Sequence, residues 1–205
     1  YIDNNNLNNY IMMDNNFNGG SRTFGEEGQN IKDPIFIQQP DDHSCALRSQ
    51  QIVLRDFGID IPFEDLEKIA LEAGVYTEQG TYTCDIGKVL EIAGVGMHQV
   101  PGSTIYDLTN ELAQGHRVIV SVDANELWIK KEPSLVNRLF GEFENKVQDA
   151  LDSLNGVQGA NHALIVAGVT VNPKDPSDIR VTLIDSGRGD ACIEYKLSDF
   201  EEALE

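Results

Sequence analysis

A cysteine stands between a polar, turn-prone run and a segment with apolar residues at helical spacing in "QQPDDHSCALRSQQ" (residues 38–51). If a helix begins near Ser44, then Cys45 lies in its first turn. There the free backbone N–H groups and the helix dipole favour a thiolate over a thiol. Because the thiolate is the nucleophilic form of cysteine, this position predicts that Cys45 is a reactive nucleophile. A nucleophile also needs a general base and a group that orients the base.

Two residues at the ends of predicted strands could supply those two groups. His162 opens the most apolar strand, "HALIVAGVTV", and Asp185 ends "IRVTLID" just before the turn "SGRG". If these strands are neighbours, the Asp185 carboxylate can accept a hydrogen bond from the imidazole, which fixes its tautomer and stabilises the imidazolium. We therefore predict His162 as the base and Asp185 as the orienting residue.

Stabilisation of an oxyanion needs an N–H donor beside the nucleophile. Gln39 lies six residues before Cys45 and could swing back over the helix start after the turn at Pro40. Gln38 is the alternative donor, but its spacing is less suitable. The sequence therefore predicts the side-chain amide of Gln39 in an oxyanion hole.

Composition excludes several classes of function. The chain has 205 residues and a formal net charge of -19, and no cluster of Lys and Arg is visible, which argues against binding to nucleic acid or to anionic lipid. No apolar run reaches the ~20 residues of a membrane-spanning helix. The cysteines and histidines lack metal-site spacing, so we expect neither metal nor cofactor. The odd number of cysteines favours a reducing compartment such as the cytoplasm, although the chain starts with Tyr1 and an upstream segment could have been removed.

The order of predicted elements indicates an α+β fold in which N-terminal helices pack on a C-terminal antiparallel sheet. Helices are predicted first, at 44–57, 62–74, 83–94 with Thr83 as N-cap, and 103–115. Strands follow at 117–123, 162–171, 179–185 and 192–197, before a closing helix capped by Ser198. Residues 1–33 are rich in Asn and Gly and are predicted to be an arm or linker, so that the domain covers 34–205. Residues 125–160 interrupt the strands with a helical pattern and are predicted to be an insertion.

Together these motifs resemble the papain-like cysteine peptidases. Within that superfamily, "QQPDDHSCALRSQQIVLRDFGI", "NHALIVAGV" and "LIDSG" are most similar to the double-glycine (bacteriocin-processing type) peptidase-like group. The resemblance implies Cys45 as nucleophile, His162 as general base and then acid, Asp185 as orienting residue and Gln39 in the oxyanion hole. It implies a protein or peptide substrate. Cleavage after a double glycine does not follow, because the insertion is not part of the pattern.

Three functions stay open at this point. A peptidase would hydrolyse a peptide or isopeptide bond through an acyl-enzyme. A glutamine deamidase or an acyltransferase would use the same triad, because the acyl-enzyme is common to all three reactions. A module that keeps the fold without activity would bind a partner protein, although such a module has no need of all four site residues.

Overall fold

A computed structural model of the protein describes residues 22–25, 37–129, 161–188 and 190–204. In these ranges the chain is a mixed α+β fold in which helices pack against an antiparallel sheet, as the sequence predicts. The helices are α1 (Cys45–Asp56), α2 (Phe63–Glu72), α3 (Lys88–Ile92), α4 (Ile105–Ala113), α5 (Ala124–Ile129) and α6 (Leu197–Ala203). The strands are β1 (Arg22–Gly25), β2 (Val118–Val122), β3 (His162–Asn172), β4 (Asp175–Asp185) and β5 (Asp190–Lys196).

Strand β3 is the centre of the sheet. It pairs antiparallel with β4 along one side, and β4 pairs antiparallel with β5. Strand β2 pairs with the first half of β3, where Val122 lies opposite His162, and β1 pairs with the second half of β3. The antiparallel pairing of β3 and β4 brings the start of one strand close to the end of the other. Because His162 begins β3 and Asp185 ends β4, this topology puts their side chains within reach of each other.

Two apolar clusters cover the two faces of the sheet. Neighbouring residues of β3 point in opposite directions, so Leu164 joins the cluster that contains Phe200, whereas Ile165 joins the cluster built on Leu47 and Leu54 of α1. Helix α1 is buried over its length from Cys45 to Leu54 and is therefore fixed against the sheet. This packing gives the N-terminus of α1 a rigid position relative to β3.

Two predicted helix boundaries are wrong. The region 83–94 is not one helix capped by Thr83, because it divides into a 3-10 turn at Thr83–Asp85 and α3. Gly87 separates the two pieces with a φ of +96°, and its N–H donates to the buried side chain of Gln50 rather than to a helix carbonyl. Ser198 does not cap the last helix, since α6 already begins at Leu197.

The structure also bears on the predicted arm, the fourth predicted helix and the predicted insertion. Strand β1 lies within 1–33, the range predicted to be an arm, and was not expected because four residues show no measurable period. Helix α4 lies within the predicted range 103–115 and begins at Ile105, after a reciprocal capping box between Thr104 and Asp107. Of the predicted insertion, α5 is described, whereas the helical pattern from Leu135 to Leu154 lies outside the described residues.

Candidate active site

The loop before α1 is organised by one carboxylate. Oδ1 of Asp41 accepts hydrogen bonds from the backbone N–H groups of His43 at 3.1 Å and Ser44 at 2.9 Å. Asp side chains favour this local bonding over regular structure, which is why the chain turns here before the helix starts. As a result Cys45 becomes the first residue of α1, and its side chain is 9% exposed.

The surroundings of Cys45 favour its thiolate. Burial on its own would raise the pKa of the thiol, but a hydrogen bond from the His162 side chain and the charge of that residue lower it below its ordinary value. Hydrogen bonds from the backbone of Ala163 and Ala46 act in the same direction. The lowering supports the expectation that this cysteine is chemically primed.

His162 and Asp185 form a buried pair. Nε2 of His162 lies 2.7 Å from Oδ1 of Asp185, and the two residues are 6% and 1% exposed. Burial works against the charged imidazole, yet the hydrogen bonds and charges of Asp185 and Cys45 raise the pKa of His162 to about 9. Because Nε2 is bonded to the carboxylate, Nδ1 is the ring nitrogen left for the thiol.

Three donors surround the carboxylate of Asp185. Besides His162, the N–H of Gly187 donates to Oδ1 at 2.9 Å, and Nε1 of Trp128 donates to Oδ2 at 3.0 Å. Burial would raise the pKa of Asp185, but the hydrogen bond and charge of His162, together with the other two donors, lower it. A carboxylate held in this way stays ionised and can stabilise an imidazolium.

Gln39 is held by hydrogen bonds to Ser186 and Asp41. Its backbone N–H donates to the carbonyl of Ser186 at 3.1 Å, and its Oε1 accepts from the Ser186 hydroxyl at 3.1 Å. Its Nε2 donates to the carbonyl of Asp41 at 2.7 Å. A carboxamide nitrogen carries two hydrogens, so one N–H remains for another acceptor. Gln38, the alternative donor, is exposed.

A tight turn from Thr77 to Gly80 packs against the loop before Cys45. Thr77 and Gly80 exchange two backbone hydrogen bonds, and a side chain at Gly80 would come within 2.7 Å of the His43 carbonyl. The His43 ring stacks on Tyr76 with centroids 6.3 Å apart. The segment 77–84 therefore begins beside this loop. Cys84 lies there in an exposed turn.

The structure brings His162 and Asp185 into direct contact, and the interaction of the His162 side chain with Cys45 lowers the pKa of the thiol. It links Gln39 to them through Ser186. Sequence reasoning missed Trp128, Ser186 and Gly187. The two residues after Asp185 read as ordinary turn chemistry, and a lone tryptophan after a strand carries no periodic signal. Trp128 could have been noted only as the single tryptophan of the chain.

Within the described ranges, no group of three or more His, Cys, Asp or Glu residues could hold a metal ion. No helix in the same part of the chain is both long and apolar enough to cross a membrane. Comparisons of the chain with protein-family models, with curated proteins and with solved structures find no match.

Proposed function

We propose that this protein is a thiol-dependent amide hydrolase, a cysteine peptidase of papain-like fold, that cleaves a peptide or isopeptide bond. The observation that carries the proposal is the buried pair of His162 and Asp185 beside a cysteine at a helix N-terminus. Burial of two ionisable side chains costs free energy of desolvation. Such a pair beside a thiol whose pKa is lowered is typical of catalytic sites. The resemblance of the sequence to the double-glycine peptidase-like group points the same way.

The chemistry begins with the thiolate of Cys45. Its sulfur forms a bond to the carbonyl carbon, and the π electron pair moves onto the oxygen, where the free N–H of Gln39 and a backbone N–H of the helix start can donate to it. The C–N bond then breaks, and the leaving nitrogen takes the imidazolium proton of His162. What remains is a thioester on Cys45 and a neutral imidazole.

Water completes the reaction. His162 removes a proton from the water as its oxygen attacks the thioester carbon, and the C–S bond breaks to restore the thiolate and the imidazolium. One water is consumed for each amide bond broken. Asp185 remains ionised throughout, and it keeps Nε2–H in place so that Nδ1 carries the proton that moves.

The test is an incubation of the purified protein with a library of peptides and unfolded proteins, read by mass spectrometry. The proposal predicts new chain ends with the wild type and none with Cys45→Ala, whereas Cys84→Ala retains full activity because Cys84 is an exposed turn residue. Ammonia release or amine incorporation without chain cleavage would instead identify a deamidase or an acyltransferase. Absence of all three products, together with equal partner binding by both wild type and Cys45→Ala, would identify a binding module.

A further inference from the structure

One aromatic side chain contacts both members of the buried pair. Nε1 of Trp128 donates to Oδ2 of Asp185 at 3.0 Å, and the indole meets the His162 ring edge-on with centroids 5.3 Å apart and planes inclined by 62°. Trp128 is the single tryptophan of the chain. It belongs to α5, which is not one of the elements that supply the triad.

The helix that carries Trp128 is tied to the residue before His162. The N–H of Ala124 donates to Oδ1 of Asn161 at 2.9 Å, while Nδ2 of Asn161 donates to Oδ1 of Asp123 at 3.2 Å. The N–H of Asp123 also donates to the carbonyl of Ala203 at 2.9 Å. The start of α5 is therefore held from two sides, one turn before Trp128. The helix that carries the indole therefore has a fixed position relative to His162.

The hydrogen bond from the indole restrains the rotation of the Asp185 carboxylate. Oδ1 already accepts from His162 and from Gly187, and both bonds need the carboxylate plane in one orientation. Without a donor on Oδ2, the carboxylate can turn about its last side-chain torsion, which is broad for Asp. The indole also packs against the His162 ring and so limits the rotation of the imidazole.

We propose that Trp128 is a positioning residue for the reaction, which holds Asp185 and the His162 imidazole in the orientation that generates the Cys45 thiolate. This proposal rests on the proposed function. It gives α5 a role in the reaction although this helix contributes no residue to the triad. Trp128 donates to Asp185 and packs against His162, so it acts through these two residues. Its loss therefore changes the chemistry of the site rather than the binding of substrate.

The experiment compares wild type with Trp128→Phe and with a variant in which Trp128 is replaced by 3-benzothienylalanine. The first substitution keeps an aromatic ring, and the second keeps nearly the whole shape of the indole while sulfur replaces its N–H. Tyr106→Phe is the control, since Tyr106 is an exposed aromatic residue of α4. The readouts are the rate of iodoacetamide alkylation of Cys45 against pH, the proton resonance of His162 Nε2–H, and kcat and KM on a cleaved peptide.

A hydrogen bond to a charged group predicts that loss of the indole N–H slows Cys45 alkylation near pH 6 by about 10- to 100-fold. Exchange of the Nε2–H proton with solvent accelerates, and kcat falls while KM stays the same. Thermal unfolding establishes that each variant is folded. If Trp128→Phe does not fold, the benzothienyl variant decides alone. A folded variant with unchanged alkylation and exchange would overturn the positioning role and leave the proposed function standing. Wild-type Cys45 that reacts no faster than Cys84 would instead overturn both.

Discussion

The hydroxyl of Ser186 donates to Oε1 of Gln39 at 3.1 Å and thereby connects the residue after the triad aspartate to the predicted oxyanion donor. The orientation of the Gln39 amide follows from its other partner. The carbonyl of Asp41 can only accept, so it must face Nε2, which leaves Oε1 toward the Ser186 hydroxyl. Ser186 is fully buried, so its hydroxyl is held in place by the packing around it. The amide is thus fixed before any substrate binds.

Replacement of Gln39 by Ala is expected to lower kcat by roughly 10²- to 10³-fold, because one preorganised donor to the oxyanion is lost. KM changes little, since the donor acts mainly on the charge that develops in the transition state. The measurement is steady-state kinetics on a cleaved peptide. Gln38→Ala is the matched control, because Gln38 is the exposed neighbour and is expected to retain full activity. Equal losses in the two variants would contradict the assignment of Gln39.

The pH dependence of kcat/KM is expected to be bell-shaped, with a basic limb near pH 9. His162 has a pKa of about 9, so its proton is present below that pH and is lost above it, and the leaving amine then lacks its acid. The acid limb follows protonation of Cys45, whose pKa is lowered, so the thiolate disappears as the pH falls. Asp185→Asn removes a negative charge from His162 and is expected to move the basic limb to lower pH. A basic limb at the same pH in wild type and in Asp185→Asn would be inconsistent with the pair.

Gly187→Ala is expected to weaken the site without unfolding the protein. A Cβ at this position would lie 3.0 Å from Cε1 of His162 and 3.2 Å from Oδ1 of Asp185, so the buried pair must shift by a few tenths of an ångström. Because hydrogen bonds to charged groups are sensitive to geometry, we expect Cys45 alkylation to slow by about 10-fold. Gly96→Ala serves as the control, because no atom lies within 4 Å of a Cβ there. Identical alkylation rates in the two variants would show that the pair tolerates displacement.

Gln50→Met is expected to destabilise the fold by about 2–4 kcal/mol in free energy of unfolding. Gln50 is fully buried, and its Oε1 accepts from the backbone N–H groups of Gly87 at 3.0 Å and Val89 at 3.2 Å. The substitution leaves both buried donors without an acceptor. Urea unfolding measures the change, with Gln114→Met as an exposed glutamine control that should shift stability by less than about 0.5 kcal/mol. A shift at Gln50 as small as the control would refute this role.

The sequence predicted the elements whose signals are local. Helix α1, predicted to begin near Ser44, and the strands β3 and β4 follow from apolar spacing and turn residues, and helix α4 lies within the predicted range 103–115. The division at Gly87 was missed although a glycine inside a helical pattern is a local signal for a break, whereas the buried acceptor that holds the Gly87 N–H, Gln50, lies 37 residues earlier in the chain.

The residues of the candidate site also fall into those with a local sequence signal and those without one. Cys45, His162 and Asp185 lie at the ends of predicted elements, where side chains can project from a rigid base, and this position singled them out. Trp128 and Ser186 act through long-range contacts, across 57 residues to Asp185 and 147 residues to Gln39, which no local pattern encodes.

The most direct test of the catalytic pair is the rate of iodoacetamide alkylation of Cys45 against pH, followed by peptide mass spectrometry in wild type and in His162→Ala. Cys84 in the same molecule is the internal reference, because it is exposed and lies outside the triad. We expect the pKa of Cys45 in the wild type to be lowered from that of an ordinary thiol, and this lowering to be lost in His162→Ala. A Cys45 that titrates like Cys84, with no change in His162→Ala, would contradict an assembled cysteine–histidine pair.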